Sequence, residues 1–132
     1  MRLYTVSEAR ELLPRVVPVL ERLRECYIEL RALQAAIEAH SRGATGDGQL
    51  LADPFAEQDG GNRVEALNRA LRSAASRLSD WGIELKDPER GLIDFYARHE
   101  DEVVFLCFEL GEATISHWHG LRDGYAGRRP IE

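Results

Sequence analysis

The chain has 132 residues, 44% of them hydrophobic and 30% charged, which suffices for one globular domain with its own core and no disulfide or metal staple. A formal net charge of −6 argues against non-specific nucleic-acid binding, which needs a basic surface. No run approaches the roughly 20 uninterrupted apolar residues of a membrane span, and the opening Met1-Arg2-Leu3-Tyr4-Thr5 lacks the basic-then-apolar pattern of a secretory signal.

The first half reads as helix. Thr5 followed three residues later by Glu8 is a capping box, so the first helix is expected to begin at Val6. From Ala9 through Leu13, Val16, Leu20, Leu23, Tyr27, Leu30, Gln34 and Ile37 the steps alternate four and three, a coiled-coil-like seam that Leu12, Val19, Cys26 and Leu33 widen. Pro14 and Pro18 each remove a backbone donor, which predicts a kink or restart there and an end near Ser41. Arg42 to Gly61 is rich in Gly, Asp and Ala, with one basic and four acidic residues, and is expected to be a flexible loop. Asn62 with Glu65 suggests a second cap. Val64, Leu67, Leu71, Ala74, Leu78 and Trp81 then carry a helix that Gly82 is placed to end.

After Gly82 the period becomes two. Strands are expected over 83–86, 92–97, 102–110 and 113–119, with a turn at Asp87-Pro88-Glu89-Arg90-Gly91, a tight hairpin at Gly111-Glu112 and an irregular glycine-rich tail over 120–132. The sum is one α+β domain over 1–132. An antiparallel helical hairpin over 6–82, with its flexible loop at 42–61, packs on a small antiparallel β-meander with tail over 83–132.

If the Gly111-Glu112 turn pairs Leu110 with Ala113, then Phe108 faces Ile115, Leu106 faces His117 and Val104 faces His119. Pairing Ala97 with Glu102 adds Ile93 and Phe95 to that side. The other side collects Leu92, Asp94, Tyr96, Val103, Phe105, Cys107, Ser116 and Trp118. Both faces are then mostly apolar, and a face not covered by the helices implies a homodimer or higher homo-oligomer, the alternative being that the tail folds back over it.

Candidate chemistry gathers late in the chain. His117 and His119, two apart on a strand, point to one side and can share a divalent transition metal such as zinc, iron or nickel, with Glu112 or Glu109 nearby as a third ligand. Asp94 falls on the opposite face in this register unless the turn slips by one residue. Without such an ion the same histidines serve structure, and the sequence by itself requires no cofactor. Arg90, Asp94, Glu112 and Arg128 form a candidate anion- or ligand-binding set, since an arginine can clamp a carboxylate or phosphate with two bonds. The structural alternative is that Arg90 or Arg128 pairs with Asp87, Asp94, Glu112 or Asp123 and ties the tail to the sheet. No Walker, GxGxxG, GxSxG, HExxH or CxxC pattern is present, so no enzyme class is indicated. Cys107, mid-strand between Leu106 and Phe108, reads as a buried thiol with no activating neighbour. Cys26 and Cys107 lie far apart in apolar company, and the basic residues are arginines except for Lys86. The expectation is a bacterial cytoplasmic protein from a GC-rich genome, with reduced thiols.

Three stretches, LYTVSEARELLPRVVPVL, IELKDPERGLIDFYA and VFLCFELGEATISHWHGLRDGYAGRRPI, resemble the bacterial family known as domain of unknown function 2203. They cover nearly the whole chain apart from the 42–61 loop. The resemblance implies that Lys86, Asp87, Arg90, Gly91, Asp94, Phe95, Cys107, Gly111, Glu112, Trp118, His119, Gly124, Gly127 and Arg128 lie in the family's most characteristic segments. His117 stands where an aromatic such as tyrosine is expected. The family implies no activity. Two readings follow: a homo-oligomeric structural or protein-interaction module, and, as the alternative, a metal- or anion-binding protein with a polar site where the tail meets the sheet.

Overall fold

A computed structural model describes residues 2–43 and 61–132, so the expected loop, but for its ends, lies outside the described residues. Two helices, α1 (Val6–Gly43) and α2 (Asn62–Asp80), precede five strands: β1 (Ile83–Asp87), β2 (Leu92–His99), β3 (Glu102–Glu109), β4 (His117–Gly120) and β5 (Arg129–Pro130). The strands form one antiparallel sheet in sequential order. The architecture is α+β, as the change of period dictates. Among the described residues no helix is long and apolar enough to cross a membrane.

The capping box forms as written. The Thr5 N–H donates to Glu8 Oε1 at 2.9 Å and the Glu8 N–H to Thr5 Oγ1 at 3.0 Å, each removing an orphan donor of the first turn. The expected restart at the prolines does not occur: α1 runs unbroken for 38 residues. Pro14 and Pro18 both lie on its exposed side, where water can satisfy the carbonyls that lose a donor. The second cap also differs. Gly61 occupies the cap position and, having no side chain, supplies no cap hydrogen bond, and Asn62 is the first helical residue. At the other end Gly82, at φ 74°, donates its N–H to the Ser79 carbonyl at 2.8 Å, the left-handed stop the sequence predicts.

The core lies between the helices and one face of the sheet. Leu13, Val16, Leu20 and Leu23 of α1 and Ala74 and Leu78 of α2 meet Ile93, Phe95, Val104, Leu106, Phe108 and Ile115, all buried. Tyr4 closes one end, its ring edge-on to Phe95 at 5.2 Å and its hydroxyl donating to the Trp81 carbonyl. Farther along the hairpin, Cys26, Leu30 and Leu67 form a smaller cluster.

Register is where structure and sequence part. β2 pairs with β3 as Ala97 opposite Val104, two residues from the expected pairing, so the faces are preserved. β3 pairs with β4 as Phe105 opposite His119 and Leu106 opposite Trp118, one residue from expectation, so every β4 side chain changes face. The cause lies in residues 113–116, which are not strand. Ile115 enters the core as expected, but its carbonyl accepts from Arg10 Nε at 2.9 Å and that of Ser116 from the Ile131 N–H at 2.9 Å. With these carbonyls bonded to a helix and the tail, alternation restarts at His117. Trp118 therefore joins the helix-facing side, and His117 and His119 the outer side. The tail, expected to be irregular, forms a 3₁₀ turn at Tyr125–Gly127 and the short β5. The outer face is thus less apolar than the expectation of an oligomer assumes.

Candidate metal centre

The outer side chains of β2, β3 and β4 build a polar group beneath the tail. Asp94 stands directly opposite Cys107 across the β2–β3 ladder. His119 is the diagonal neighbour of Cys107 on the other side, being paired with Phe105. Their side chains converge: a carboxylate oxygen, Sγ and a ring nitrogen all lie within 4.8 Å of one another. The residues are 1%, 1% and 3% exposed respectively. Among the described residues this is the acid, thiol and imidazole group that converges closely enough for one ion.

The hydrogen bonds fix the protons. His119 Nδ1 lies 2.8 Å from the Gly120 carbonyl, which can only accept, so Nδ1 carries a proton. Nε2 then faces both Asp94 oxygens, at 3.2 and 3.1 Å, and one further proton must lie between imidazole and carboxylate. Burial pushes the Asp94 carboxyl up, against the lowering charge of His119. Burial, reinforced by the Asp94 charge, pushes the Cys107 thiol up to about 12. In this form the thiol is protonated and the three groups together carry no net charge.

Around the group stands a second layer of charge. Lys86 Nζ lies 4.0 Å from Asp94 Oδ2 and 2.7 Å from Glu84 Oε1, with its ammonium 4.4 Å from the centre of the Phe105 ring. The Tyr96 hydroxyl donates to Glu84. Hydrogen bonds from Lys86 and Tyr96 hold the Glu84 carboxyl below the usual carboxylate range.

Of the candidate ligand set, the structure groups Arg90, Glu112 and Arg128 in a tail clamp and leaves Asp94 to the buried centre. Arg128 Nη2 donates to both Glu112 oxygens at 2.9 and 2.7 Å, while Arg90 donates to Glu109 through Nε at 2.8 Å and Nη2 at 3.1 Å. The Tyr125 hydroxyl donates to Glu109 at 3.0 Å, and the two guanidiniums lie 4.2 and 4.6 Å from its ring centre. Arg90 keeps Glu109 below the usual carboxylate range. Of the pairings considered from sequence, Arg128 with Glu112 forms, whereas Arg90 takes Glu109. Asp87 accepts the Glu89 and Arg90 N–H groups at 3.0 and 3.2 Å, and Asp123 accepts the Gly120 N–H at 3.2 Å.

The metal set proposed from sequence divides. His117 Nδ1 lies 3.0 Å from Ser116 Oγ and 3.7 Å from Glu112, while His119 turns to Asp94. Sequence reasoning missed Cys107; the signal was that it shares a sheet face with Asp94, which the observed register places directly opposite it. The one-residue slip that returns Asp94 to the side of His119 is the slip observed.

A family model described as "Uncharacterized conserved protein (DUF2203)" matches residues 2–131. The chain belongs to this family. The match spans both the clamp and the buried centre of this DUF2203 protein. No curated protein matches it, and no solved structure does.

Proposed function

We propose that this DUF2203 protein binds one divalent transition-metal ion through the Asp94 carboxylate, the Cys107 thiolate and His119 Nε2. The observation that carries the reading is the convergence of those three atoms within 4.8 Å in an enclosed site. A mixed oxygen, sulfur and nitrogen set suits borderline ions such as zinc, iron(II) or nickel rather than magnesium or calcium. The Nδ1–H bond to the Gly120 carbonyl is the outer-layer contact that leaves Nε2 free to ligate. Ligand atoms of a zinc ion stand roughly 3.3–3.8 Å apart, so the side chains need to close by only about an ångström. Charge is conserved as well: a dication displaces the thiol proton and the proton shared by His119 and Asp94. Lys86 and Arg128 therefore face no added net charge.

Elemental analysis of the untagged protein, before and after incubation with zinc, iron(II) and nickel, tests the reading. About one ion per chain is expected, lost in Cys107→Ser and in His119→Ala; no ion retained under any condition rejects it. Because the thiol must stay reduced, the reading also puts the protein in the cytoplasm. A second reading, a homo-oligomeric interaction module, is favoured by Ile28, which is 48% exposed on α1. Light scattering at micromolar concentration decides it, a monomer removing that reading.

A further inference from the structure

We infer a second site, separate from the proposed metal centre, that takes an organic anion with an apolar body, such as a medium-chain carboxylate. On the inner side of the sheet a cleft of about 1000 Å³ opens between the two ends of the described chain, at the upper end of the range of roughly 300–1000 Å³ usual for small-molecule sites. Leu3, Pro130 and Ile131 give it apolar surface over a floor of buried Ala97, Val104 and Leu106.

Both walls are tied by backbone. On one side the Tyr4 N–H donates to the Tyr96 carbonyl at 2.7 Å. On the other, Trp118 pairs with Arg129 and the Ile131 N–H donates to Ser116 at 2.9 Å. A cleft held in this way needs little ordering when it is filled.

One side of the cleft carries the chemistry. The Trp118 indole packs at a tilt against the His99 ring, centroids 4.6 Å apart, and lies under the Arg129 guanidinium at 5.4 Å. His99 and Arg129 are exposed and Trp118 is half-buried, so all three can present a donor to a molecule in the cleft. Three groups that can donate are thus gathered beside apolar surface, one of them permanently cationic. Their complement is a head that accepts hydrogen bonds and carries negative charge, on a body that is apolar. Arg98 lines the cleft too, as do the exposed acids Glu100 and Glu132, so a cationic amphiphile is the direct competitor.

The test compares three ligands sharing a ten-carbon chain, decanoate, decanol and decyltrimethylammonium, all below their micellar range. The readout is the pair of indole N–H resonances, Trp118 being assigned with Trp118→Phe and Trp81 serving as the internal control. Decanoate is expected to shift the Trp118 signal saturably, leave that of Trp81 in place and bind roughly tenfold tighter than either analogue, as one charge-assisted contact allows. Arg129→Gln, an exposed substitution, is expected to abolish that preference with the fold intact. Decanoate without effect, decyltrimethylammonium binding equally well, or a preference that survives Arg129→Gln would each overturn the inference.

Discussion

The two faces of one sheet are built from alternate residues of the same strands by different physics. On the inner face Ile93, Phe95, Leu106 and Phe108 are held by close packing against α1 and α2. On the outer face Asp94 and Cys107 alternate with them; there Asp94 is held by His119 and the Lys86 charge, and a separate clamp of arginines, carboxylates and one tyrosine ties the tail to the sheet. A two-residue difference in the β2–β3 register leaves every side chain on its own face, so the inner face can be read from the sequence without the exact pairing. The outer site depends on register and survives only the one that is observed. Stability should therefore reside mainly inside, and chemistry outside.

Substitutions on the two faces sharpen that contrast, beginning where the effect is largest. Phe95→Ala, at a fully buried ring, is expected to cost about 3–5 kcal/mol in urea unfolding of the metal-free protein. A loss under 1 kcal/mol would deny the inner face its role. Gly91→Ala comes next. Gly91 has φ +64°, and an added Cβ would stand 2.4 Å from Leu110 Cδ1, so a cost of about 1–3 kcal/mol in the same assay is expected. On the outer face, Tyr125→Ala removes a 38% exposed ring and is expected to cost about 1 kcal/mol or less.

The smallest effect is set by pH. Arg90 lowers the folded pKa of Glu109, so the stability this pair contributes is present above the ordinary glutamate range and is lost as pH falls through the folded value. The Tyr125 ring, whose hydroxyl bonds Glu109, should report that acidic transition in the wild type, and in Arg90→Ala the transition should move up toward the ordinary glutamate range. An identical acid response in both would remove the clamp from the account.

Most of the inner face was legible in the sequence. Thr5 and Glu8 announce the start of α1, the steps from Ala9 to Leu30 give its buried stripe, and Gly82 marks the change of period. What could not be read depended on contacts distant in the chain. Whether Pro14 and Pro18 break a helix depends on which side of it faces water. The register of β4 depends on Arg10 and Ile131 taking the carbonyls of Ile115 and Ser116, partners that no local pattern near Gly111-Glu112 reveals. The outer site inherited that error. The sequence pattern singles out Asp94 and His119 but separates them by one residue of register, and a thiol between Leu106 and Phe108 reads as core. Arg128 with Glu112 was among the pairings foreseen, since oppositely charged residues flanking turns commonly meet.

The buried group of Asp94, Cys107 and His119 is the central claim, and the proton count on metal binding tests it most directly. Zinc is titrated calorimetrically into metal-free protein at neutral pH, in two buffers of different ionisation enthalpy. With a thiol pKa of about 12 and one proton shared between His119 and Asp94, a single zinc should release about two protons. Its apparent affinity should then rise by up to about a hundredfold per pH unit, and binding should fail in Cys107→Ser. No zinc uptake, or uptake that persists without Cys107 and releases no protons, would contradict the account.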